Sequence, residues 1–377
     1  MIGCGYEQLS KHQKELVKDI LSDKSTKRKR ILGNAGSGKT TIIAICADKL
    51  INRGKTVFIC CYNKSLLSHI HNLLNDCNSG VNSRLTIDNY HHFMWHHIGE
   101  TDRSMFKDYE YKEPPIDTDG YRITSNAKRS MFDYIFVDEM QDLRPNAISN
   151  LIDLLNPNGK ICVFADKYQK LYDNNKYENE EENTSSNVPK FPPNVGFRGR
   201  WSRLNEVFRA NNLIQEKALE YAKNELFSTY GVENVILSGN RENSQITYVI
   251  NYSIESIANY ISKMNRSDRE NMVVLFHEKQ DVDKFADALD RKKIDYISIN
   301  KSRDNFDIRY HGVKISTVKS FKGLELPICI YVCRNNNSSC EDDYVGITRA
   351  TKKLIICNSN TNNPIHKLYA EYSMNLF

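Results

Sequence analysis

Ten residues, Ile31-Leu32-Gly33-Asn34-Ala35-Gly36-Ser37-Gly38-Lys39-Thr40, carry the densest chemistry in the chain. A glycine, four residues and then Gly-Lys-Thr is the spacing of a phosphate-binding loop. Glycines let the backbone curl until successive N–H groups point at one anion, and a helix opening directly behind adds its positive end. Gly33, Asn34, Ala35, Gly36, Ser37, Gly38, Lys39, Thr40 and Thr41 are the expected nucleotide contacts. Lys39 places a cation on the outer phosphates of a nucleoside triphosphate, and the Thr40 hydroxyl is the expected magnesium ligand. A second acidic stretch, Ile135-Phe136-Val137-Asp138-Glu139-Met140-Gln141-Asp142, is an apolar strand running into polar positions. Magnesium wants hard oxygen ligands and keeps several waters, so Asp138 with Thr40 and phosphate oxygens suffices. Glu139 beside it could take a proton from water attacking the terminal phosphate.

These residues need strands to present them. Apolar runs at Val57–Cys61, Tyr134–Val137 and Ile161–Ala165 have the continuous character of parallel strands, alternating with helical stretches at 7–22 and from Thr40 to about Leu50. In open α/β sheets ligands bind beyond the carboxyl ends of strands, where the polar residues here fall. Residues 99–130, with Pro114-Pro115, read as a surface excursion, 173–187 as a mobile acidic loop and 189–193 as a hinge. A second alternating unit begins near Val195, with strands expected at Val273–Phe276, Tyr296–Ile299, Val313–Thr317, Ile328–Val332 and Leu354–Cys357. Ile254, Ile257, Ala258 and Ile261 share one helical face, as do Val282, Phe285, Ala286 and Leu289. The fold class is α/β, two units in tandem with a nucleotide between them.

The 377 residues, 40% hydrophobic and 26% charged, are those of a soluble globular protein with room for two or three domains. No apolar run reaches the length of a membrane span and the start lacks a signal-peptide core, so a cytoplasmic protein without a membrane partner is expected. Cys60, Cys61, Cys162, Cys329, Cys333 and Cys357 sit in apolar runs and read as reduced core thiols. The net charge of +5 splits as +1 over residues 1–197 and +4 over 198–377, which permits a polyanionic partner without demanding one. Asn63-Lys64-Ser65-Leu66 lacks the Asp of a guanine motif, which sets a GTPase aside, and a small-molecule kinase explains nothing in the second half.

With Asp138 to Asp142 in view, the chain resembles the UvrD/Rep-like superfamily 1A DNA helicases, motif by motif and in order. Leu9-Ser10-Lys11-His12-Gln13 looks like the Q motif, which implies that Gln13 reads the adenine edge of ATP. Cys61-Tyr62-Asn63-Lys64-Ser65 resembles motif Ia, and Thr86-Ile87-Asp88-Asn89-Tyr90 the motif after it. The resemblance places Tyr62, Asn63, Thr86 and Tyr172 along a single-strand track. Asp166-Lys167-Tyr168-Gln169-Lys170-Leu171-Tyr172 is similar to motif III, in which Gln169 would sense the γ-phosphate. Leu204-Asn205-Glu206-Val207-Phe208-Arg209 looks like motif IV, which implies that Phe208 stacks on adenine and Arg209 reaches the γ-phosphate. Thr317-Val318-Lys319-Ser320-Phe321-Lys322-Gly323-Leu324-Glu325 is similar to motif V, with Thr317 and Lys319 on the nucleic-acid backbone and Glu325 near the ribose. Tyr344-Val345-Gly346-Ile347-Thr348-Arg349-Ala350 matches motif VI and makes Arg349 a second arginine finger.

The resemblance implies two RecA-like P-loop lobes, 1A over residues 1–195 and 2A over 196–377, cleaving ATP with Mg2+ between them and stepping 3′→5′ along single-stranded DNA. The motifs contact mainly backbone and do not separate DNA from RNA. Departures from the family are specific. About forty residues separate Tyr90 from the strand before Asp138, and about fourteen separate Ile299 from Lys314, so insert 1B is reduced and 2B absent. Asn174 stands where an aromatic usually stacks on a base, with Trp201 as a substitute, and Lys319 replaces the usual His of motif V. Only 27 residues follow Ala350, which leaves no room for an appended nuclease. A rival reading is a motor or sensor subunit that regulates a separate effector, such as a nuclease in DNA repair or anti-phage defence. A third is a clamp that binds ATP without cleaving it, against which the Asp138-Glu139 pair argues. His92 and His96 lie one helical turn apart without the Glu of H-E-x-x-H, and read as a helix packing beneath the track.

Overall fold

The computed structural model describes residues 5–77, 82–97, 131–143, 145–166, 169, 196–197, 200–204, 206–207, 213–226, 236–237, 243–299, 301, 306–333 and 339–377. The expected excursion at 99–130, the acidic loop at 173–187 and the hinge at 189–193 lie outside these residues, as do Tyr172, Asn174, Phe208 and Arg209.

Helix α1, Lys11–Leu21, buries Leu16, Val17, Ile20 and Leu21 on one side. It starts four residues later than the 7–22 periodicity suggests because Tyr6–Gln8 form a separate 3-10 turn and Ser10 caps the helix. The Ser10 hydroxyl accepts from the Gln13 N–H and the Gln13 side chain accepts from the Ser10 N–H, a reciprocal capping box. Strand β1, Arg28–Gly33, feeds α2, Lys39–Ile51. Then come β2, Val57–Cys61, α3, Lys64–Asp76, β3, Leu85–Asn89, and the helix Tyr90–His97. Strand β4, Phe132–Val137, the helix Pro145–Asp153, β5, Leu155–Ala165, and β6, Ser202–Leu204, complete this unit. The six strands lie in the order β3-β2-β4-β5-β1-β6, all parallel. Strand β6 pairs Ser202 with Ile31 and Leu204 with Gly33, so this sheet draws a strand from beyond residue 195.

A short parallel pair, β7 at Glu206–Val207 and β8 at Ile236–Leu237, precedes the second sheet. That sheet contains β9, Gln245–Val249, β10, Met272–Phe276, β11, Tyr296–Ser298, β12, Val313–Thr317, β13, Leu326–Val332, and β14, Ala350–Cys357. Their order is β11-β12-β10-β13-β14-β9, again parallel throughout. Helices Ile254–Ser262 and Lys279–Arg291 cover one face through the apolar stripes read from the sequence. Helices Leu213–Tyr221, Cys340–Ile347 and Pro364–Tyr369 bury residues on the other.

Strands covered on both faces must be apolar along their whole length, and β2, β10 and β12 are buried at every position. The chain is therefore two parallel-sheet α/β domains in tandem. One apolar cluster runs across their junction, joining Leu66 and Ile70 of α3 to Phe306, Ile308, Val318, Phe321 and Leu324. Cys46, Cys60, Cys61, Cys162, Cys329, Cys333 and Cys357 are buried thiols. No helix among the described residues is long and apolar enough to cross a membrane.

Candidate nucleotide site at the junction of the lobes

All strands of the first sheet point the same way, so the residues after β1, β2, β4 and β5 gather along one edge. After β1 the loop turns through Gly36 and Gly38, at φ +78° and +83°, where glycine alone is unstrained. Gly33 is needed for space, since a Cβ there would lie 2.5 Å from Ser37 Oγ and 3.1 Å from Leu204 Cβ. Asn34 and Ser37 are each 1% exposed, and among the described residues Asn34 Nδ2 and Ser37 Oγ bond to nothing. Buried donors in a curled loop are suited to phosphate oxygens. Lys39 Nζ donates to Gly33 O at 2.8 Å and Asn34 O at 3.3 Å, and stands 3.6 Å from Asp166 Oδ2 after β5. Gln13, buried beside the loop, donates through Nε2 to Ser37 O at 2.9 Å. Its amide thus supports the loop as well as capping α1, with one N–H and one lone pair left for a ligand.

The carboxylates follow β4. Thr40 Oγ1 donates to Asp138 Oδ2 at 2.6 Å, and Asp138 is wholly buried. Burial, and then the neighbouring Glu139 charge, push the Asp138 carboxyl up to about 6. Two hard oxygens side by side, one on a carboxylate short of counter-charge, fit a magnesium ion. Glu139 sits in the left-handed region at φ +53°, an arrangement that costs on the order of 1–3 kcal/mol and turns its side chain back into the cluster. Burial would raise its carboxyl, but the ammonium groups of Lys322 and Lys39 outweigh that and hold it down, at about 2. Gln141 bridges the strand ends, donating to Glu139 Oε2 and accepting from the Asp166 N–H at 3.0 Å. Gln169 is 2% exposed, and its Oε1 has no hydrogen-bond partner among the described residues.

The second lobe enters this cluster with two cations. Lys322, fully buried, donates to Asp142 Oδ2 at 2.6 Å and to the Gln169 carbonyl, and lies 3.4 Å from Glu139 Oε2. Arg349, 1% exposed, donates to Val345 O at 2.8 Å, Leu324 O at 3.1 Å and Thr348 Oγ1 at 2.7 Å. Three of its five N–H donors are thus spent inside its own lobe. Burial lowers its pKa, while Glu139 and Asp166 across the junction favour its charge. Glu325, half-buried, follows Leu324 whose carbonyl anchors Arg349. Sequence reasoning gave Lys322 and Asp142 no role. A lysine beside a glycine in a turn reads as a solvated charge, and no local signal marks a partner 180 residues away.

Four of the residues expected on the nucleic-acid track come together at the junction. Tyr62 follows β2 and meets His91 edge-on, with ring centroids 5.8 Å apart. Asn63 Nδ2 donates to the Lys319 carbonyl at 3.3 Å, and neighbouring Ser65 Oγ to the Ser320 carbonyl at 2.6 Å. Thr317 ends β12 and its hydroxyl donates to Ser320 Oγ at 2.9 Å, while the Lys319 side chain is exposed. Thr86 departs from the expectation. It pairs with Phe58 while Asn89 pairs with Cys61, which puts it three residues, about 10 Å, below the edge where the others lie. The end of β3 offers Asp88 instead, bonded to His92 Nδ1 at 2.6 Å. Trp201 also departs: it packs on the core beneath the sheet with Arg30 over its ring at 5.5 Å, so it does not replace the missing stacking aromatic. Tyr172, Phe208 and Arg209 lie outside the described residues.

A family model described as an AAA domain matches residues 13–175. One described as the viral superfamily 1 RNA helicase core domain matches residues 240–358. Among solved structures the chain is similar to an arterivirus nonstructural protein 10 helicase in complex with DNA, at 12% identity and TM-score 0.42, over 94% of this chain and 65% of that one. It is similar to a crystal structure of the arterivirus nonstructural protein 10 helicase at 11% identity and TM-score 0.43, over 94% of this chain and 64% of that one. For the PRRSV helicase the values are 12%, 0.40, 88% and 52%. The chain spans less than two thirds of each of these proteins. No curated protein matches it. With an AAA domain followed by a superfamily 1 helicase core domain, each on its own parallel sheet, the chain is a member of the superfamily 1 helicases.

Proposed function

We propose that the protein is an ATP-driven translocase on single-stranded nucleic acid, of the UvrD/Rep-like 1A type, moving 3′→5′. The observation that carries this reading is the buried cluster in which Lys39, Asp138, Glu139 and Gln169 of the first lobe meet Lys322 and Arg349 of the second. In it the phosphates lie in the loop from Gly33 to Thr41, with Lys39 leaving its carbonyl partners for the outer phosphates. Thr40 and Asp138 hold Mg2+, which neutralises charge on the β- and γ-phosphates when bound. Glu139, kept ionised, accepts a hydrogen bond from the attacking water and orients it, while Gln169 offers its amide to the terminal phosphate. Arg349, with N–H groups to spare, and Arg209 supply positive charge from the second lobe as the phosphoryl group transfers, a contribution of about 10³–10⁵ in rate in related chemistry. Gln13, Phe208 and Glu325 contact adenine and ribose. One strand lies over Tyr62, Asn63, Thr317 and Lys319, so that loss of the phosphate bridge alters the grip of one lobe relative to the other.

The test is ATP turnover with and without single-stranded DNA and RNA oligonucleotides, followed by strand displacement on partial duplexes of both polarities. Stimulation by oligonucleotide and release from 3′-tailed substrates are expected. Turnover indifferent to nucleic acid refutes the translocase, and displacement only from 5′-tailed substrates refutes the 1A polarity.

A further inference from the structure

The turn after β12 is one stiff piece. Phe321 N–H bonds to Thr317 O at 3.1 Å, Leu324 N–H to Phe321 O at 3.1 Å, and Ser320 N–H to Thr317 Oγ1 at 3.3 Å. Gly323 turns the chain at φ +84°, and a Cβ on it would lie 3.2 Å from Leu66 of α3, so the turn seats directly on the first lobe. One end of this piece touches the proposed track, through the carbonyls of Lys319 and Ser320 that take Asn63 and Ser65. The other end sends Lys322 into the hydrolytic cluster. All its partners there, the Asp142 and Glu139 carboxylates and the Gln169 carbonyl, belong to the first lobe. A fully buried ammonium between two carboxylates holds a fixed distance, because moving it away leaves unpaired charge in a dry site.

We propose that Lys322 is a positioning residue for ATP cleavage: it sets Glu139 and the Gln169 segment in register with the Thr317–Leu324 turn, so that a strand held at the turn controls how well the water is aimed. This rests on the translocase reading above and adds to it the residue through which the track reaches the hydrolytic carboxylate. Lys322 touches neither nucleotide nor strand and acts only through the groups it holds.

The test compares the wild type with Lys322→Met and with the double variant Lys322→Met/Asp142→Asn, which removes the unpaired charge that the single variant leaves. Melting temperature, mant-ADP affinity, ATP KM, kcat and the stimulation ratio by a single-stranded oligonucleotide are measured. The double variant is expected to fold and to bind mant-ADP within about threefold of wild type, whereas kcat falls about 10²-fold, the low end of what a positioned acid–base group contributes. Its stimulation ratio drops to about one. A folded double variant that keeps the wild-type kcat and stimulation overturns the proposal, as does a loss of mant-ADP affinity in step with kcat. A double variant that does not fold assigns Lys322 a purely structural role and overturns it too. Wild-type protein without turnover, or without stimulation by nucleic acid, overturns both this and the translocase reading. An active, stimulated wild type beside an unaffected double variant overturns this proposal alone.

Discussion

Alanine at position 38 tests the phosphate loop at its most constrained point. Gly38 is the N-cap of α2 and sits at φ +83°, so a Cβ there meets the left-handed penalty of about 1–2 kcal/mol. The same Cβ would stand 2.6 Å from Gln13 Nε2, too close to tolerate. Gln13 must then swing away from Ser37 O, 2.9 Å from it, at a further net cost of about 0.5–1.5 kcal/mol. The two terms together come to about 2–3 kcal/mol. Where the free loop relaxes to a negative φ, that cost returns on nucleotide binding, which needs the N–H groups aimed inward, and affinity falls about 30- to 150-fold. Where it does not relax, the cost appears as lower stability. Titration with mant-ADP and Mg2+, with melting temperatures of the free proteins, captures both. Adding Gln13→Ala removes the clash and leaves the backbone penalty. The double variant should therefore bind more tightly than the sum of the two single losses implies, by about fivefold, or about 1 kcal/mol. Affinity within threefold of wild type together with an unchanged melting temperature refutes the argument.

Three further outcomes follow from buried groups. Asp138, raised to about 6, is protonated below that pH, and a protonated carboxyl is a poor ligand for a divalent ion, so apparent Mg2+ affinity should weaken about tenfold per unit below pH 6 and level off above 7. In the metal-free chain the sign of the stability term is opposite. A raised folded pKa contributes stability below the unfolded value of 3.8 that is lost as pH rises through about 6. Mg2+ titrations at pH 5, 6 and 7.5 check the first point, and a flat response refutes it. Burial pushes the thiols of Cys60, Cys61, Cys162, Cys329 and Cys357 up, so at pH 8 in native buffer iodoacetamide should leave them unmodified and reach them only after denaturation, as peptide mass mapping would show. Gly346→Ala should destabilise the second lobe by about 1–3 kcal/mol in urea unfolding, because its Cβ lands 2.6 Å from the ring of Tyr331, which is fixed by its bond to Asp343 Oδ1 at 2.5 Å.

What the sequence disclosed was what local chemistry determines. Val57–Cys61 and Val313–Thr317 are strands over the residues expected, because a buried parallel strand must be apolar at every position. Strands β5 and β14 run longer than their apolar runs, to Leu155 and Ala350, since pairing with a neighbour extends a strand through polar residues such as Asn156 and Lys352. Thr86 was misplaced because a motif's first residue need not lie at a strand's end. Ser10-x-x-Gln13 carried a capping signature that the ATP reading of Gln13 overshadowed. The attachment of Ser202–Leu204 to β1 and the reach of Lys322 to Asp142 are pairings between distant parts of the chain, for which hydrophobic periodicity holds no information.

Helix α3 has a mechanical consequence of its own. Near its beginning Ser65 and Leu66 press on the turn after β12, and near its end Asn72 bonds to Asp307 at 3.2 Å and Asp76 to Arg309 at 2.8 Å. The two attachments are about 16 Å apart along the helix. A body pinned at two points on a rod turns cheaply about that rod and resists every other rotation. The stroke that follows phosphate release should thus be a roll of one domain around α3 rather than a gaping of the cleft, with the greatest travel at the strands furthest from that axis.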